Sequence, residues 1–153
     1  MFKKVLIANR GEIAVRIIRT CREMGIRTIS IFSEADRTSP HVLKSQEAYC
    51  VGPPPSNLSY LNTKKILDII KKNNIDAVHP GYGFLSENSE FADTISKIGV
   101  TWIGPNALAI KTMGDKMAAR KLAQKSDVPV VPGTTKPLES LEQAKKTSKI
   151  PVV

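Results

Sequence analysis

The sequence is poor in aromatic residues, which make up only 5% of its 153 residues. A surface that stacks single-stranded nucleic acid needs aromatic side chains interleaved with basic ones. The net charge is +9, but the lysines are scattered in pairs such as Lys64-Lys65 and Lys71-Lys72. We therefore expect no nucleic-acid partner. The lysines are interpreted as solvated helix faces that attract a polyanionic ligand locally.

Cysteine is also scarce, with only Cys21 and Cys50 in the chain. They form no Cys-x-x-Cys pair, and no histidine stands near them at the spacing of a metal site. A disulfide is not expected in a reducing compartment. We predict two buried free thiols and no metal site that involves them.

Long apolar runs are absent as well. No stretch approaches the ~20 apolar residues that a membrane-spanning helix needs, although 41% of the residues are hydrophobic. The first apolar run is interrupted by Asn9, Arg10 and Glu12, which is too early for a signal peptide. We expect a cytoplasmic protein without a membrane span, whose first residues form a strand of the mature fold.

Glycine is missing where a dinucleotide site would need it. The first predicted strand–helix turn, "ANRGEIA", has only Gly11. It therefore lacks the G-x-G-x-x-G pattern that lets a pyrophosphate approach the backbone. There is no Walker A motif either. We predict that this turn is structural and that the protein does not bind NAD.

The apolar pattern alternates between short runs and helical stretches, which is typical of an open, mostly parallel, Rossmann-like α/β sheet. In the first helix the predicted apolar stripe is Ile13, Ile17, Cys21 and Met24, with Ala14 and Ile18 beside it. Strands are predicted at "KVLIAN", "RTISIFS", "EAYCVG", "DAVHPG" and "VTWIG", and helices at "GEIAVRIIRTCREMG", "NTKKILDIIKKNN" and "NSEFADTISKIG".

The apolar spacing also predicts which residues of the second and third helices face inward. In the second helix they are Ile66, Leu67 and Ile70, and in the third they are Phe91, Ile95 and Ile98. Asn88 is predicted to cap the third helix, and Asn106 to cap a further short helix.

The domain prediction is a Rossmann-like unit over residues 1–113, followed by a second region over residues 114–153. In the second region we predict a helix that is capped by Asp115 and runs to about Lys125, then a linker, a helix over about residues 139–149 and the start of a strand at "IPVV". A half-finished strand favours the N-terminal part of a longer protein. An edge strand that completes the fold is the alternative.

Three features are candidate sites, each with a structural alternative. Arg16, Arg19 and Glu23 share one helix face, which is either solvated or a partner surface. Lys116 falls in the first turn of a helix, where an ammonium group and free N–H groups attract an anion unless Asp115 offsets them. "HPGYGFLSEN", residues 79–88, lies at the carboxyl edge of the sheet. Its Gly81 and Gly83 permit close approach of a ligand or simply shape a turn.

Four motifs, "IANRGEIAVRIIR", "HPGYGFLSEN", "WIGPN" and "MGDK", occur in this order. Together they resemble the N-terminal domain of biotin carboxylase, a component of acetyl-CoA, pyruvate and propionyl-CoA carboxylases. The resemblance covers essentially the whole chain. It implies an ATP-grasp ligase that uses ATP, bicarbonate and Mg²⁺ or Mn²⁺ to carboxylate biotin on a carrier protein. The Rossmann-like unit would precede the ATP-grasp region, which begins near the end of this chain.

The resemblance also assigns roles to the candidate residues. It implies that Lys116 binds ATP, that Tyr82, Gly81 and Gly83 border biotin and bicarbonate, and that Arg16, Arg19 and Glu23 form a homodimer interface. His79 and Glu87 are expected to hold the loop. The family's catalytic and metal-binding residues lie beyond Val153, so we expect this chain to be inactive alone.

The partners implied are a biotin carboxyl carrier protein and a carboxyltransferase, and the parent is expected to be acetyl-CoA carboxylase, in fatty acid biosynthesis. Two alternatives are a structural and dimerisation module and a stand-alone nucleotide-binding Rossmann module.

Overall fold

The computed structural model describes residues 1–131 and 140–147, which fall into two compact units, Met1–Lys111 and the described residues from Thr112 onwards. The strands are β1 (Lys4–Ile7), β2 (Arg27–Ser33), β3 (Glu47–Gly52), β4 (Ala77–His79) and β5 (Thr101–Trp102). The helices are α1 (Gly11–Glu23), α2 (Pro40–Lys44), α3 (Thr63–Lys72), α4 (Ser89–Lys97), α5 (Ala107–Gly114), α6 (Lys116–Lys125) and α7 (Leu141–Thr147).

The five strands form one parallel sheet in the order β3-β2-β1-β4-β5. Leu6 of β1 is registered against Ile29 of β2 on one side and Val78 of β4 on the other. The predicted open α/β sheet is therefore confirmed, with all five predicted strands. Chain order reverses direction across the sheet between β1 and β4, so these two central strands define its switch point.

Each central strand is buried on both faces because helices cover both sides of the sheet. In β1, Leu6 faces a large core cluster that includes residues of α3 and α4, such as Ile66 and Ile95. Its neighbours Val5 and Ile7 face the opposite side, where Cys21 and Ile18 of α1 pack. The alternation follows from the two-residue period of a strand.

The predicted apolar stripes need correction at the helix ends. In α1 the buried residues are Ala14, Ile18 and Cys21, whereas Met24 is exposed. In α4 Phe91, Ala92 and Ile95 are buried, but Ile98 is exposed. Both misplaced residues lie just past the last helical turn, where the chain leaves the sheet face. Ile13 and Ile17 are only half-buried.

Two further predictions were incomplete. Leu67 of α3 packs against the core but is half-buried, and Ile69 takes the inward position beside Ile66 and Ile70. The short helix α2 was not predicted. It begins with Pro40, which favours a first helical position.

The predicted helix starts are confirmed. The side chains of Asn88, Asn106 and Asp115 accept hydrogen bonds from the N–H groups of Phe91, Ala109 and Ala118 at 2.9, 2.8 and 2.7 Å. These acceptors satisfy N–H groups that have no partner inside the helix. The predicted helix over 139–149 is present as α7, and the predicted strand at "IPVV" lies outside the described residues.

Both cysteines are free thiols, as predicted, although Cys50 is only half-buried. Burial raises the pKa of the Cys21 thiol. Within the described ranges, no helix combines the length and hydropathy needed to cross a membrane.

Candidate functional site

The candidate site of the first unit lies where β1 and β4 end side by side. In an open parallel sheet, ligands bind outside the carboxyl ends of the strands at the switch point. The chain leaves β1 through Asn9 and Arg10 and leaves β4 through Pro80 and Gly81. Pairing continues beyond β1, because Ala8 N–H donates to the His79 carbonyl at 2.9 Å. The topology therefore brings "NRGE" and "HPGYGF" together.

The side chain of Asn9 joins these two turns. It is completely buried, and its Nδ2 donates to the carbonyls of Pro80 at 2.7 Å and Tyr82 at 3.0 Å. Its Oδ1 accepts from the N–H of Arg10 at 2.9 Å. A buried amide is tolerated because its polar groups are paired. Sequence reasoning missed Asn9 as a site residue, although a polar residue directly after a buried central strand was a usable signal.

Gly81 is required by this contact. Its φ is +67°, and an added Cβ would lie 2.7 Å from both Asn9 Nδ2 and Ile13 Cγ2. Gly83 has φ +67° and ψ −168°, a combination open essentially to glycine alone. Phe84 follows with φ +45°, an unusual value for a bulky residue. Both glycines therefore have backbone conformations that other residues rarely adopt, and their place beside biotin and bicarbonate stays a prediction.

His79 holds the loop, as expected. Its Nδ1 accepts the N–H of Gly81 at 3.0 Å, so the neutral ring carries its proton on Nε2. Burial lowers the pKa of His79. The side chain of Glu87 is exposed and makes no hydrogen bond or ion pair with any described residue, so the loop-holding role expected for it is not supported.

Tyr82 projects outward and is 61% exposed. It lines one end of an apolar groove of about 550 Å³ on the α1 side of the sheet. The groove was not predicted. It is lined by Phe2, Val5, Ile13, Arg16, Ile17, Arg19, Thr20, Cys21, Met24, Ile26, His79, Gly81, Tyr82 and Ile103. The predicted partner face and the predicted biotin-side loop thus border one continuous depression.

On that face the arginines pair within the helix. Arg16 Nε lies 3.5 Å from Glu12, and Arg19 Nε lies 3.9 Å from Glu23. All four side chains are mostly exposed, so these pairs are screened by solvent and contribute little to stability. Arg16, Arg19 and Glu23 are brought together as predicted, and their interface role stays a prediction.

Lys116 belongs to the second unit and opens α6 directly after the Asp115 cap. Its side chain is exposed and makes no ion pair with any residue in the described part of the chain. The Asp115 carboxylate engages the N–H of Ala118, which is the offsetting contact of the structural alternative. The free ammonium group still suits a phosphate. No group of three acidic, histidine or cysteine residues that could hold a metal occurs within residues 1–131 and 140–147.

The sequence profile described as "Biotin carboxylase, N-terminal domain" matches residues 1–110. The chain belongs to this family. The matched residues include both turns that Asn9 joins at the switch point, "NRGE" and "HPGYGF".

Two relatives are a biotin carboxylase and a propionyl-CoA carboxylase alpha chain. Biotin carboxylase 1 of Bacillus subtilis is 51% identical over 144 residues, which are 94% of this chain and 32% of the relative. The mitochondrial propionyl-CoA carboxylase alpha chain of Rattus norvegicus is 52% identical over 143 residues, 94% of this chain and 19% of the relative. This chain thus spans a third or less of the length of these relatives.

A solved biotin carboxylase structure also matches most of this chain. The biotin carboxylase domain dimer of Hydrogenobacter thermophilus 2-oxoglutarate carboxylase, in complex with MgADP, ADP and bicarbonate, matches with a TM-score of 0.89. It is 46% identical, and the match covers 95% of this chain and 32% of that one.

Gly81→Ala should lower the free energy of unfolding by roughly 2–4 kcal/mol. About 1 kcal/mol of this loss comes from placing a residue with a Cβ in the left-handed region, and the rest comes from overpacking against Asn9 and Ile13. Gly25→Ala is the matched control, since Gly25 has φ +70° and open space around an added Cβ. Urea denaturation of both variants measures the difference. Equal losses would show that the Asn9 contact does not constrain Gly81.

Stability should fall between pH 7 and pH 5.5. The chain has only two histidines, His41 and His79, and burial lowers the pKa of each. Below the unfolded value of about 6.5 the unfolded chain binds the protons, so the free energy of unfolding falls by up to about 1.4 kcal/mol per pH unit per histidine.

Urea denaturation at pH 7.5, 6.5 and 5.5 measures this slope. His79→Asn keeps an acceptor for the Gly81 N–H and removes one proton site, so its slope should be smaller. A wild-type stability that is flat from pH 7.5 to 5.5 would contradict the assignment of both histidines as neutral in the fold.

Proposed function

We propose that this chain is the N-terminal segment of a biotin carboxylase, an ATP-grasp ligase that uses ATP and bicarbonate to carboxylate biotin on a carrier protein. The observation that carries the proposal is that the residues matched by the family profile include the candidate site. Residues 1–110, which match the family profile, contain the two turns that Asn9 joins at the carboxyl edge of the sheet. The solved relative that contains MgADP and bicarbonate supports the choice of substrates.

In this proposal the described residues bind and orient. Tyr82, Gly81 and Gly83 form a wall beside biotin and bicarbonate, and Lys116 contributes a cation to the ATP phosphates. Bound Mg²⁺ or Mn²⁺ would neutralise charge on the phosphates, and its ligands would lie outside this chain. The proposed partners are a biotin carboxyl carrier protein and a carboxyltransferase. The proposed setting is cytoplasmic, with acetyl-CoA carboxylase and fatty acid biosynthesis as the parent system.

The full-length protein should release ADP in a reaction that needs both bicarbonate and biotin, and residues 1–153 alone should not. Phosphoryl transfer depends on several cationic groups and metal ions acting together, and this chain would supply only Lys116. A coupled ADP assay on both proteins tests the proposal. Biotin-dependent turnover by the 153-residue chain, or none by the full-length protein, would overturn it.

Lys116→Gln in the full-length protein should raise the KM for ATP by roughly 10–100-fold, the value of a charge-assisted hydrogen bond. The KM for biotin should change much less. Lys125→Gln is the control, because Lys125 ends the same helix and is exposed. An unchanged KM for ATP would favour the structural alternative, in which Asp115 offsets the cation.

We also propose that the full-length protein is a homodimer that uses the exposed face of α1. The groove beside Arg16 and Arg19 offers apolar contacts, and a planar guanidinium suits a partner carboxylate. The solved relative is a dimer of biotin carboxylase domains.

Arg19→Glu should weaken this dimer by about tenfold or more, since a reversed charge is placed against its partner. Lys97→Glu is the control, because Lys97 also belongs to an exposed i,i+4 pair, with Asp93 at 2.6 Å. Sedimentation velocity over a concentration series measures both. A monomeric wild type, or equal dimerisation of Arg19→Glu, would refute the proposed interface.

A further inference from the structure

Arg10 lies at the point where three segments meet at the carboxyl edge of the sheet. Its guanidinium carbon is 5.4 Å from the centre of the Tyr60 ring and 5.6 Å from the centre of the Phe84 ring. The two rings are stacked, with centres 5.4 Å apart and planes inclined by 14°. A guanidinium this close to two aromatic rings is attracted by both.

The Arg10 guanidinium also forms an ion pair with the carboxylate of Asp36, which other side chains hold in place. Arg10 Nη1 lies 3.6 Å from Asp36 Oδ2. That oxygen also accepts from Tyr60 Oη at 2.6 Å and Ser33 Oγ at 2.9 Å. Burial pushes the pKa of the Asp36 carboxyl up, but these hydrogen bonds and the Arg10 charge outweigh it, so the pKa lies below its usual value. At neutral pH Arg10 is therefore held by an ionised anchor after β2.

The backbone conformation of Phe84 must be stabilised by contacts from outside the loop. It follows Gly83 in the left-handed region, with φ +45°, where a bulky side chain is unfavourable. Such a conformation persists only when its surroundings over-determine it. The surroundings of the Phe84 ring include Tyr60 and the Arg10 guanidinium.

Two consecutive residues thus hold the same loop in different ways. Asn9 binds the backbone carbonyls of Pro80 and Tyr82. Arg10 contacts the ring of Phe84, two residues further along. Tyr82, whose side chain is exposed, is therefore fixed at its own carbonyl by Asn9 and is followed two residues later by the ring that Arg10 contacts.

We propose that Arg10 is a positioning residue, which fixes the Phe84 ring against Tyr60 and thereby sets the place of the Tyr82 wall relative to biotin. It acts through the loop and touches neither biotin nor bicarbonate. The proposal rests on the function proposed above for the full-length protein.

The test is a comparison of kinetic constants in the full-length protein. Arg10→Met should raise the KM for free biotin by about tenfold or more, because a wall misplaced by ~1 Å can cost up to about 100-fold. The KM values for ATP and bicarbonate should stay within about twofold. Arg10→Lys should lie between, since it keeps the charge at Asp36 and lacks the planar group that stacks on the rings.

Arg37→Met is the matched control. Arg37 adjoins Asp36 in sequence, and its guanidinium lies 5.5 Å from the centre of the ring of Phe32, a residue of β2. The variant removes a similar contact and should leave the KM for biotin unchanged. Phe84→Leu should reproduce the effect of Arg10→Met, and the double variant should be no worse than either single one, because both remove the same hold.

Hydrogen exchange on the same proteins gives a readout that does not depend on activity. The amides of Ser86 and Asn88, which donate to the carbonyls of Gly83 and Leu85 at 3.0 and 3.1 Å, should exchange faster in Arg10→Met. Amides of β1 and β2 should be unaffected.

The outcomes separate the two proposals. An active protein whose KM for biotin and whose loop exchange are unchanged by Arg10→Met would overturn the role of Arg10 and leave the proposed function intact. A rise confined to the KM for ATP or bicarbonate would make Arg10 a substrate contact and also overturn it. Suppose instead that the full-length protein has no biotin carboxylase activity but its loop amides exchange faster in Arg10→Met. That result would support the contact by which Arg10 fixes the loop, and it would overturn both the proposed function and the role of Arg10 in placing Tyr82 beside biotin.

Discussion

The buried amide of Asn9 is the contact on which the candidate site depends. β1 and β4 are neighbours, but the chain leaves them for opposite faces of the sheet, toward α1 and toward α4. A switch point of this kind leaves an opening between the two turns. One short side chain closes it with two donated hydrogen bonds and one accepted. Because Asn9 is completely buried, removal of these partners would leave polar atoms unpaired at the centre of the fold.

This contact makes the unusual loop backbone possible. Gly81, Gly83 and Phe84 all have positive φ within four residues. The two glycines adopt such values readily, but a positive φ is unfavourable for a bulky residue such as Phe84 and persists only when its surroundings fix it. Here the carbonyls on either side of Gly81 are fixed by Asn9, the Gly81 N–H by His79, and the Phe84 ring by Tyr60. The sheet stabilises a shape that the loop alone would not keep.

The sequence predicted the elements well because their signals are local. Buried parallel strands appear as continuous apolar runs, and the caps at Asn88, Asn106 and Asp115 are readable from residue type and position. The errors at Met24 and Ile98 arose where periodicity was extended one step past the end of a helix. Lys116 was placed correctly at the start of α6, yet the sequence left open how far Asp115 offsets its charge.

The hold on the loop was not predictable in the same way. Asn9, Arg10, Asp36, Tyr60 and Phe84 come from four separate stretches of chain, and no short-range pattern links them. Their association follows from strand order, which places the ends of β2, β1 and β4 side by side. The motif "HPGYGF" was recognisable, but the residues that fix it include some that are distant in sequence, such as Asn9, which lies 73 positions before Tyr82.

The charges of the first unit suggest that its contribution is geometric. Arg10 is paired with Asp36, Arg16 with Glu12 and Arg19 with Glu23. His79 is engaged through Nδ1 and its pKa is lowered, so it stays neutral at physiological pH. Residues 79–84 contain no carboxylate or amine side chain, and their one histidine is neutral. What this stretch offers is a defined backbone outline and the exposed ring of Tyr82. In the role proposed for this wall, the orientation of biotin would need a rigid outline, because a small displacement is enough to lose most of the rate. The strained loop and its several independent holds are what that requirement predicts.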